Sequence, residues 1–171
     1  STPLPGLFAW DRIDAGSALL SAHLPPTLSG KGVDFGCGYG FLTCHALRNC
    51  QNIESLIALD DEWRAISCCG DNIAQAPNPG RGAARWGDAT KSGLSGLDFV
   101  IMNPPFHENR PAQAQLGQSF ILAAAGALRP GGDLWMVSNA HLPYEQTLAS
   151  AFSSVRRVVE ENGYKIYHAI R

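Results

Sequence analysis

The segment Asn103-Pro104-Pro105-Phe106 holds the residue types with the clearest chemical implication. Its two prolines restrict the backbone, so the amide oxygen of Asn103 and the main-chain oxygen of Pro104 can both point into one pocket. Two fixed acceptors suit a planar amino group, because they take its two hydrogens and leave the nitrogen lone pair facing an electrophile. The ring of Phe106 offers a face on which a planar base can stack. We therefore predict that these four residues, Pro105 included, form a catalytic site for a planar amine, a plain Asn-Pro turn being the alternative.

A second segment, Gly36-Cys37-Gly38-Tyr39-Gly40, is typical of a turn that brings the backbone close to a ligand. Glycine leaves room for that approach, and the helix that follows points free N–H groups at the ligand. Phe41 stands where the dinucleotide pattern has its third glycine, and no Gly-Lys-Ser/Thr follows as in a P-loop. Gly36, Cys37 and Gly38 are therefore predicted to bind a cofactor that is not a dinucleotide. A plain strand–helix connection would give the same pattern.

Three acidic residues follow predicted strands, and a fourth lies within the first strand. Asp60 lies 24 residues beyond the first glycine of the turn, where a carboxylate can accept the hydroxyl groups of a ribose. Asp61 beside it could do the same, and both could instead cap the next helix. The Asp88 carboxylate could accept a hydrogen bond from the amino group of an adenine, and Ala89 beside it could offer its N–H. Asp34, just before the glycine turn, could face a cationic part of the ligand or be structural.

Short apolar runs alternate with longer helical patterns, and this alternation predicts a mostly parallel, doubly wound α/β sheet. Asn162-Gly163 predicts a final hairpin that adds an antiparallel edge. Ligands of such sheets bind at the carboxyl ends of the strands, so the segments above are expected to share one rim. Trp86 is expected in the core. The predicted strands cover residues 33–35, 55–59, 83–86, 97–102, 134–138, 155–160 and 164–170, and the predicted helices 14–23, 41–48, 62–74, 114–128 and 144–152.

Composition limits the classes of protein that fit. A chain of 171 residues with 45% hydrophobic residues predicts one domain over 1–171. Its net charge of −2 is far from the strongly basic character of a domain that holds nucleic acid by its phosphates alone. The chain has no apolar run of about 20 residues and no signal-peptide pattern at its start. Five cysteines without a CxxC pair predict a cytoplasmic protein with buried thiols and no metal site.

The glycine turn, Asp60, Asp88 and the Asn-Pro-Pro-Phe segment together resemble class I S-adenosylmethionine-dependent methyltransferases that act on amino groups. The Asn-Pro-Pro-Phe motif alone is shared with adenine-N6 and glutamine-N5 enzymes, and the flanking segments narrow the resemblance. Nearly the whole chain is similar to bacterial ribosomal RNA guanine-N2 methyltransferases of the RsmC/RlmG type. The segments that carry this similarity are Pro5-Gly6-Leu7-Phe8, Asp14-x-Gly16-Ser17, Asn103-Pro104-Pro105-Phe106-His107-Glu108 and Asn139-Ala140-His141-Leu142-Pro143-Tyr144.

The resemblance implies a Rossmann-like, seven-stranded methyltransferase sheet with helices on both faces. It implies methyl transfer from S-adenosylmethionine to the exocyclic N2 of a guanosine in ribosomal RNA, with S-adenosylhomocysteine as product and no metal. The partner would be ribosomal RNA or a ribosomal subunit. It adds Phe8, Gly16 and Ser17 to the cofactor-binding residues, which also include Asn103, and makes residues 1–30 an arm and helix that fold over the cofactor as a lid.

Longer members of this family carry an N-terminal companion domain that resembles a degenerate copy of the catalytic one. This chain begins where the catalytic half would begin, so we expect the companion to be absent from it. Three alternative functions remain at this point: adenine-N6 methylation, glutamine-N5 methylation of a protein, and RNA binding without catalysis. A nicotinamide dehydrogenase is disfavoured by the missing third glycine and by the Asn-Pro-Pro-Phe segment.

Overall fold

A seven-stranded sheet with helices on both faces organises residues 14–171, the part of the chain that the computed structural model describes. The strands are β1 (Gly30–Phe35), β2 (Ile53–Asp60), β3 (Gly82–Trp86), β4 (Leu97–Met102), β5 (Leu128–Asn139), β6 (Ser154–Glu161) and β7 (Tyr164–Ile170). The helices are α1 (Ala15–His23), α2 (Phe41–Asn49), α3 (Trp63–Ala74), α4 (Arg110–Ala127) and α5 (Glu145–Ala151), with short helical turns at Pro79–Arg81 and Ala89–Lys91.

The strand order is β3-β2-β1-β4-β5-β7-β6. The first five strands pair in parallel, whereas β7 pairs antiparallel with both β5 and β6. The chain winds outward from β1 to β3 and then returns to β4 on the other side of β1. This reversal opens a crevice above the carboxyl ends of β1 and β4, where ligands of doubly wound sheets bind. The predicted fold class is confirmed.

Two apolar layers flank the sheet. On one face α1, α2 and α3 bury side chains such as Leu20, Leu47 and Ile73. On the other face α4 and α5 contribute Phe120 and Leu148. β1 and β4 lie between the layers, which explains why β4 is apolar at almost every position. The central strands therefore have little freedom to shift, and the loops at their ends are held in fixed relative positions.

The ends of two elements follow from local hydrogen bonds. Asp14 caps α1 as predicted, because its Oδ1 accepts a hydrogen bond from the Gly16 N–H at 2.9 Å. α4 begins four residues before the predicted start at 114, since the Asn109 side chain accepts the N–H of Ala112 at 3.0 Å and Pro111 occupies the first turn. Its first turn lacks the apolar spacing on which the prediction depended.

The hairpin between β6 and β7 has the backbone that its sequence predicts. Asn162 and Gly163 have φ values of 52° and 83°, the left-handed pair that a tight two-residue turn requires. β5 begins at Leu128, six residues before the predicted start at 134, because the backbone after it pairs with Arg171 at the end of the chain. No helix within residues 14–171 is long and apolar enough to cross a membrane.

Candidate active site

The glycine turn and the Asn-Pro-Pro-Phe segment contact each other above β1 and β4. Gly36 has a φ of +73°, and a Cβ at this position would lie 3.4 Å from the Cδ of Pro105 and 3.3 Å from the Phe120 ring. A side chain at position 36 would therefore be strained and would lie tightly against the Phe120 ring of α4. Two cavities open on this rim, and Pro105 borders both of them.

The first cavity, called here the glycine-turn cavity, measures about 340 Å³ and lies above β1, β2 and β3. It brings together five of the predicted cofactor-binding residues, which come from three separate loops. Three carboxylates and two hydroxyl groups are the polar side chains among its lining residues. The predicted residues that line it are Gly36, Asp60, Asp61, Asp88 and Ala89, and the others include Gly87, Thr90, Leu116, Ser119 and Phe120.

Asp60 ties the glycine turn to the end of β2. Its Oδ2 accepts a hydrogen bond from the Gly38 N–H at 2.9 Å, and its Oδ1 accepts one from the Glu62 N–H, also at 2.9 Å. Burial raises the pKa of the Asp60 carboxyl, against the lowering effect of these two N–H donors. Each carboxylate oxygen keeps a second lone pair, so Asp60 can still accept a ligand hydroxyl.

Asp88 caps the helical turn Ala89–Lys91 at the opposite side of this cavity. Its Oδ1 accepts from the N–H and the hydroxyl of Thr90, at 2.8 and 2.7 Å, and these bonds lower the pKa of the Asp88 carboxyl. The N–H of Ala89 opens the same helical turn, and the first N–H groups of a helix have no partner within it. The pair therefore offers an acceptor and a donor side by side to a planar ring.

The prediction that Trp86 lies in the core is wrong. Trp86 is 60% exposed, its ring meets Trp63 edge-on at 5.8 Å, and its Nε1 donates to the main-chain oxygen of Asp61 at 2.9 Å. The physical reason is the position of β3 at the edge of the sheet, where no further strand covers it.

Asp34 and Cys37 do not line either cavity. Asp34 is fully buried in β1, and its Oδ2 accepts a hydrogen bond from the Thr43 hydroxyl at 2.7 Å. Burial raises the pKa of Asp34 to about 7. Cys37 donates its N–H to Leu59 and places its thiol 3.9 Å from the Sγ of Cys69. Both side chains lie beneath the glycine turn and help to hold it in place.

The second cavity, called here the Asn103 cavity, measures about 300 Å³ and lies above β4, β5 and β7. It contains all four residues predicted to be catalytic. The rest of its wall comes from segments far apart in the sequence. Its lining comprises Asp14, Asn103, Pro104, Pro105, Phe106, Gln113, Val137, Ser138, Asn139, Leu142, Tyr144 and Tyr164.

Helix α1 orients the Asn103 side chain. Its Nδ2 donates to the Oδ2 of Asp14 at 2.5 Å and to the hydroxyl of Ser17 at 2.9 Å. Both amide hydrogens are thus used, and no described residue donates to the amide oxygen. The Tyr164 hydroxyl donates to the Oδ1 of Asp14 at 3.3 Å, and the Tyr164 ring lies where a Cβ on Gly16 would be 2.9 Å from it.

Two residues predicted to bind the cofactor lie elsewhere in the structure. Gly16 and Ser17 lie against Tyr164 and Asn103, at the Asn103 cavity side of the rim, and neither lines the glycine-turn cavity. Phe8, the third residue of the predicted lid, is outside the described residues. The lid itself stays a prediction.

Sequence analysis missed Gln113, which holds the Asn-Pro-Pro-Phe loop. Gln113 is 6% exposed, its Nε2 donates to the main-chain oxygen of Pro105 at 3.0 Å, and its Oε1 accepts from the N–H of His107. Its own main-chain oxygen accepts the hydroxyl of Tyr144 at 3.0 Å, and Gly117 leaves the space for that ring. A polar residue on the buried face of an amphipathic helix was the available signal.

Among residues 14–171, no cluster of three or more histidine, cysteine or acidic side chains has the arrangement of a metal site. The rim has an acceptor-rich cavity next to a cavity lined by glycine, carboxylates and the N–H of Ala89. Such an arrangement can hold a ribose-bearing cofactor on one side of Pro105 and a planar amine on the other.

The sequence matches known proteins over nearly its whole length. The model of the methyltransferase small domain family matches residues 2–168. The ribosomal RNA small subunit methyltransferase C of Shewanella loihica is 35% identical over 164 residues, which cover 96% of this chain and 47% of the relative. The protein of the same name from Shewanella sp. (strain MR-4) is 37% identical over the same shares. The chain spans about half the length of these curated relatives.

A solved structure agrees with these matches. The T. thermophilus 16S rRNA N2 methyltransferase RsmC, solved in complex with AdoMet and guanosine, superposes with a TM-score of 0.76 and 26% identity. The superposition covers 93% of this chain and 43% of that one. The matches in sequence and in fold therefore agree over the same region.

Proposed function

Because the chain belongs to the methyltransferase small domain family, we propose that it transfers a methyl group from S-adenosylmethionine to the exocyclic N2 of a guanosine in ribosomal RNA. One observation carries the proposal: no described residue donates to the amide oxygen of Asn103, and Asn103 lines a cavity that shares Pro105 with the glycine-turn cavity. The curated relatives are named ribosomal RNA methyltransferases, and the solved relative is named with AdoMet and guanosine, which supports it.

The residues of the glycine-turn cavity fit such a cofactor. Gly36 has a φ of +73°, and a Cβ there would lie 3.3 Å from the Phe120 ring, so the cavity wall favours glycine. The carboxylate of Asp60 matches a ribose, and Asp88 with the N–H of Ala89 matches an adenine. When bound, S-adenosylmethionine supplies a methyl group that its sulfonium makes electrophilic. We propose that Asp60 holds the ribose, and that Asp88 and Ala89 hold the adenine.

The remaining cofactor residues act around this centre. Gly36 and Gly38 bring the backbone close, while Cys37 and Asp34 support the turn. We propose that Ser17, together with Gly16, contributes by fixing α1 against the Asn103 side of the rim, as the hydrogen bond from Asn103 suggests. The roles of Asp61 and Phe8 are further proposals: Asp61 is the second candidate for the ribose, and Phe8 belongs to the lid.

Positioning of the amine is the main catalytic task. A guanine amine is a weak nucleophile, so fixed acceptors and exclusion of water must supply much of the rate acceleration. The oxygens of Asn103 and Pro104 accept its two hydrogens and direct the lone pair toward the glycine-turn cavity. As the carbon–nitrogen bond forms and the carbon–sulfur bond breaks, the amine loses one proton, which passes to water. S-adenosylhomocysteine is the second product.

The guanine must leave its stack to enter this cavity, which costs a few kcal/mol. The ring of Phe106 is 76% exposed at the entrance, and stacking on it would return about 1–3 kcal/mol. The net charge of −2 gives little attraction for phosphates. We therefore propose that much of the affinity for ribosomal RNA or a ribosomal subunit, in the cytoplasm, comes from residues outside this chain.

Transfer of tritium from labelled S-adenosylmethionine tests the proposal. The acceptors would be 16S RNA, 23S RNA, and the assembled small and large subunits, followed by nucleoside analysis of the labelled RNA. The expected product is N2-methylguanosine in one of them, absent with Asn103→Ala. Label found in N6-methyladenosine or in a protein glutamine would overturn the guanine assignment, and failure to bind S-adenosylmethionine would overturn the whole proposal.

A further inference from the structure

Asp14 lies beside the Asn103 amide, where a carboxylate can read the base that carries the amine. Its Oδ2 accepts one hydrogen bond, from the Nδ2 of Asn103 at 2.5 Å. Its Oδ1 accepts from the Gly16 N–H and the Tyr164 hydroxyl. Asp14 is exposed and lines the Asn103 cavity. A carboxylate oxygen has two lone pairs, so Oδ2 retains one for a ligand.

This end of the cavity presents acceptors to a ligand. The amide hydrogens of Asn103 are directed to Asp14 and Ser17, so the amide offers the ligand only its oxygen. The two heteroatoms of an amide are about 2.2 Å apart, which puts the Asp14 carboxylate next to the position of the bound amine. A ligand whose amine has a second donor beside it therefore fits, and one with an acceptor there meets a negative charge.

The three planar amines that compete for this site differ at that neighbouring position. Guanine has N1–H next to its N2 amine, so two donors lie side by side. Adenine has an unprotonated ring nitrogen next to N6, and the glutamine amide has a carbonyl oxygen. A base taken out of its stack is read through its Watson–Crick edge, and only the edge of guanine matches a carboxylate.

We propose that Asp14 is the specificity-determining residue for guanine, and that its carboxylate accepts the N1–H of the base whose N2 is methylated. The proposal rests on the proposed function and names what that site selects. An N-cap role for Asp14 exists as well, since its Oδ1 holds the first turn of α1. The two roles use different oxygens, because Oδ1 caps the helix and Oδ2 faces Asn103.

Binding of two nucleosides to the whole chain, saturated with S-adenosylhomocysteine, separates these roles. Guanosine and 2,6-diaminopurine riboside share the 2-amino group, but only guanosine carries a proton on N1. The affinities are measured by titration with NMR detection. For the unchanged chain we expect guanosine to bind about tenfold to a hundredfold more tightly, as expected for a hydrogen bond to a charged group.

Asp14→Asn keeps an N-cap residue and removes the charge. We expect this variant to bind the two nucleosides within about threefold of each other, and Asp14→Ser, a second capping residue, to do the same. Ser17→Ala is the matched control, because Ser17 also fixes Asn103 but has no charge to offer N1. It should weaken both nucleosides equally and leave their ratio unchanged.

The outcomes distinguish this proposal from the proposed function. If guanosine binds and accepts label from tritiated S-adenosylmethionine while Asp14→Asn and Asp14→Ser keep the original ratio, the role of Asp14 is overturned and guanine methylation stands. If the unchanged chain labels neither guanosine nor any guanine of ribosomal RNA, the proposed function fails and the role of Asp14 fails with it.

Discussion

The two cavities that share Pro105 are built in different ways. The glycine-turn cavity is formed by the ends of three adjacent parallel strands, with Pro105 and α4 on its other side. The Asn103 cavity is formed by side chains from α1, α4, β5 and β7 around one loop. The acidic residues of the first cavity directly follow strands that the sequence predicts, whereas the partners of Asn103 in the second cavity come from elements that no local pattern brings together.

The hydrogen bonds of the two acidic residues illustrate this difference. Asp60 bonds to Gly38 and Glu62, which are 22 and 2 residues away. Asp14 bonds to Asn103 and Tyr164, which are 89 and 150 residues away. A substitution in the glycine-turn cavity should therefore change cofactor binding alone. A substitution in the Asn103 cavity should also change the contact between α1 and β7.

Asn103→Ala should have the largest effect and should affect the Asn103 cavity alone. We expect methyl transfer to fall about 10²–10³-fold, the usual result of losing one preorganised polar contact. Affinity for S-adenosylmethionine should stay within about twofold, because the glycine-turn cavity is untouched. Single-turnover transfer and calorimetry measure the two quantities. Transfer at the original rate would mean that the Asn-Pro-Pro-Phe segment is only a turn.

Asn103→Asp sharpens this test. From the sequence alone, aspartate should retain more activity than alanine because it keeps an acceptor. In the structure the Nδ2 of Asn103 is 2.5 Å from the Oδ2 of Asp14, so the substitution would place two carboxylates in contact. We expect its transfer rate to be no higher than that of Asn103→Ala, measured in the same single-turnover assay.

Asp60→Ala tests the glycine-turn cavity in the same manner. Loss of the ribose acceptor, together with the two N–H groups left unpaired, should weaken S-adenosylmethionine binding by about 1–3 kcal/mol. Asp61→Ala is the control, since the oxygen of Asp61 that receives the Trp86 bond is main chain and survives the change. Calorimetry on both variants measures their affinity for S-adenosylmethionine. A loss of affinity confined to Asp61→Ala would assign the ribose to Asp61.

Gln113→Leu should have a smaller effect, on the Asn103 cavity only. The substitution removes two hydrogen bonds to the loop from a buried position, so we expect transfer to slow about tenfold and unfolding in urea to become about 1–2 kcal/mol easier. Cofactor affinity should not change. Gln115→Leu, on the exposed side of the same helix, is the control and should behave like the unchanged chain. Equal effects of both variants would remove Gln113 from the positioning of the loop.

The sequence predicts the glycine-turn cavity well because strand ends and glycine turns are local signals. The positions of Gly36, Asp60 and Asp88 follow from the ends of three predicted strands, and the structure brings them to one cavity. Main-chain contacts of this kind depend on topology, which the alternation of strands and helices determines.

The Asn103 cavity is only partly predictable. The contribution of the four residues after β4 can be predicted, because two prolines fix their backbone. The contact of Tyr164 with Asp14 cannot be predicted, since a hydrogen bond across 150 residues leaves no spacing pattern in the sequence. The error at Trp86 has the same origin: whether a strand lies at the edge of a sheet depends on the order of the strands, which the sequence of one strand does not contain.

Asp34 tests whether a carboxyl buried beneath the rim belongs to either cavity, and its expected effect is on stability and not on methyl transfer. Burial raises its pKa from 3.8 to about 7. Between about pH 4 and pH 7 the folded chain therefore retains a proton that the unfolded chain releases, so the free energy of unfolding falls as the pH rises. This carboxyl should change the free energy of unfolding by on the order of 1 kcal/mol per pH unit.

The variant Asp34→Asn cannot titrate at this position. Its free energy of unfolding in urea, relative to that of the unchanged chain, should therefore rise across this pH range, while Asp71→Asn, an exposed control, shows no such trend. A difference that stays constant with pH would mean that Asp34 is ionised in the folded protein. Cofactor affinity that follows the same titration would assign Asp34 to the glycine-turn cavity after all.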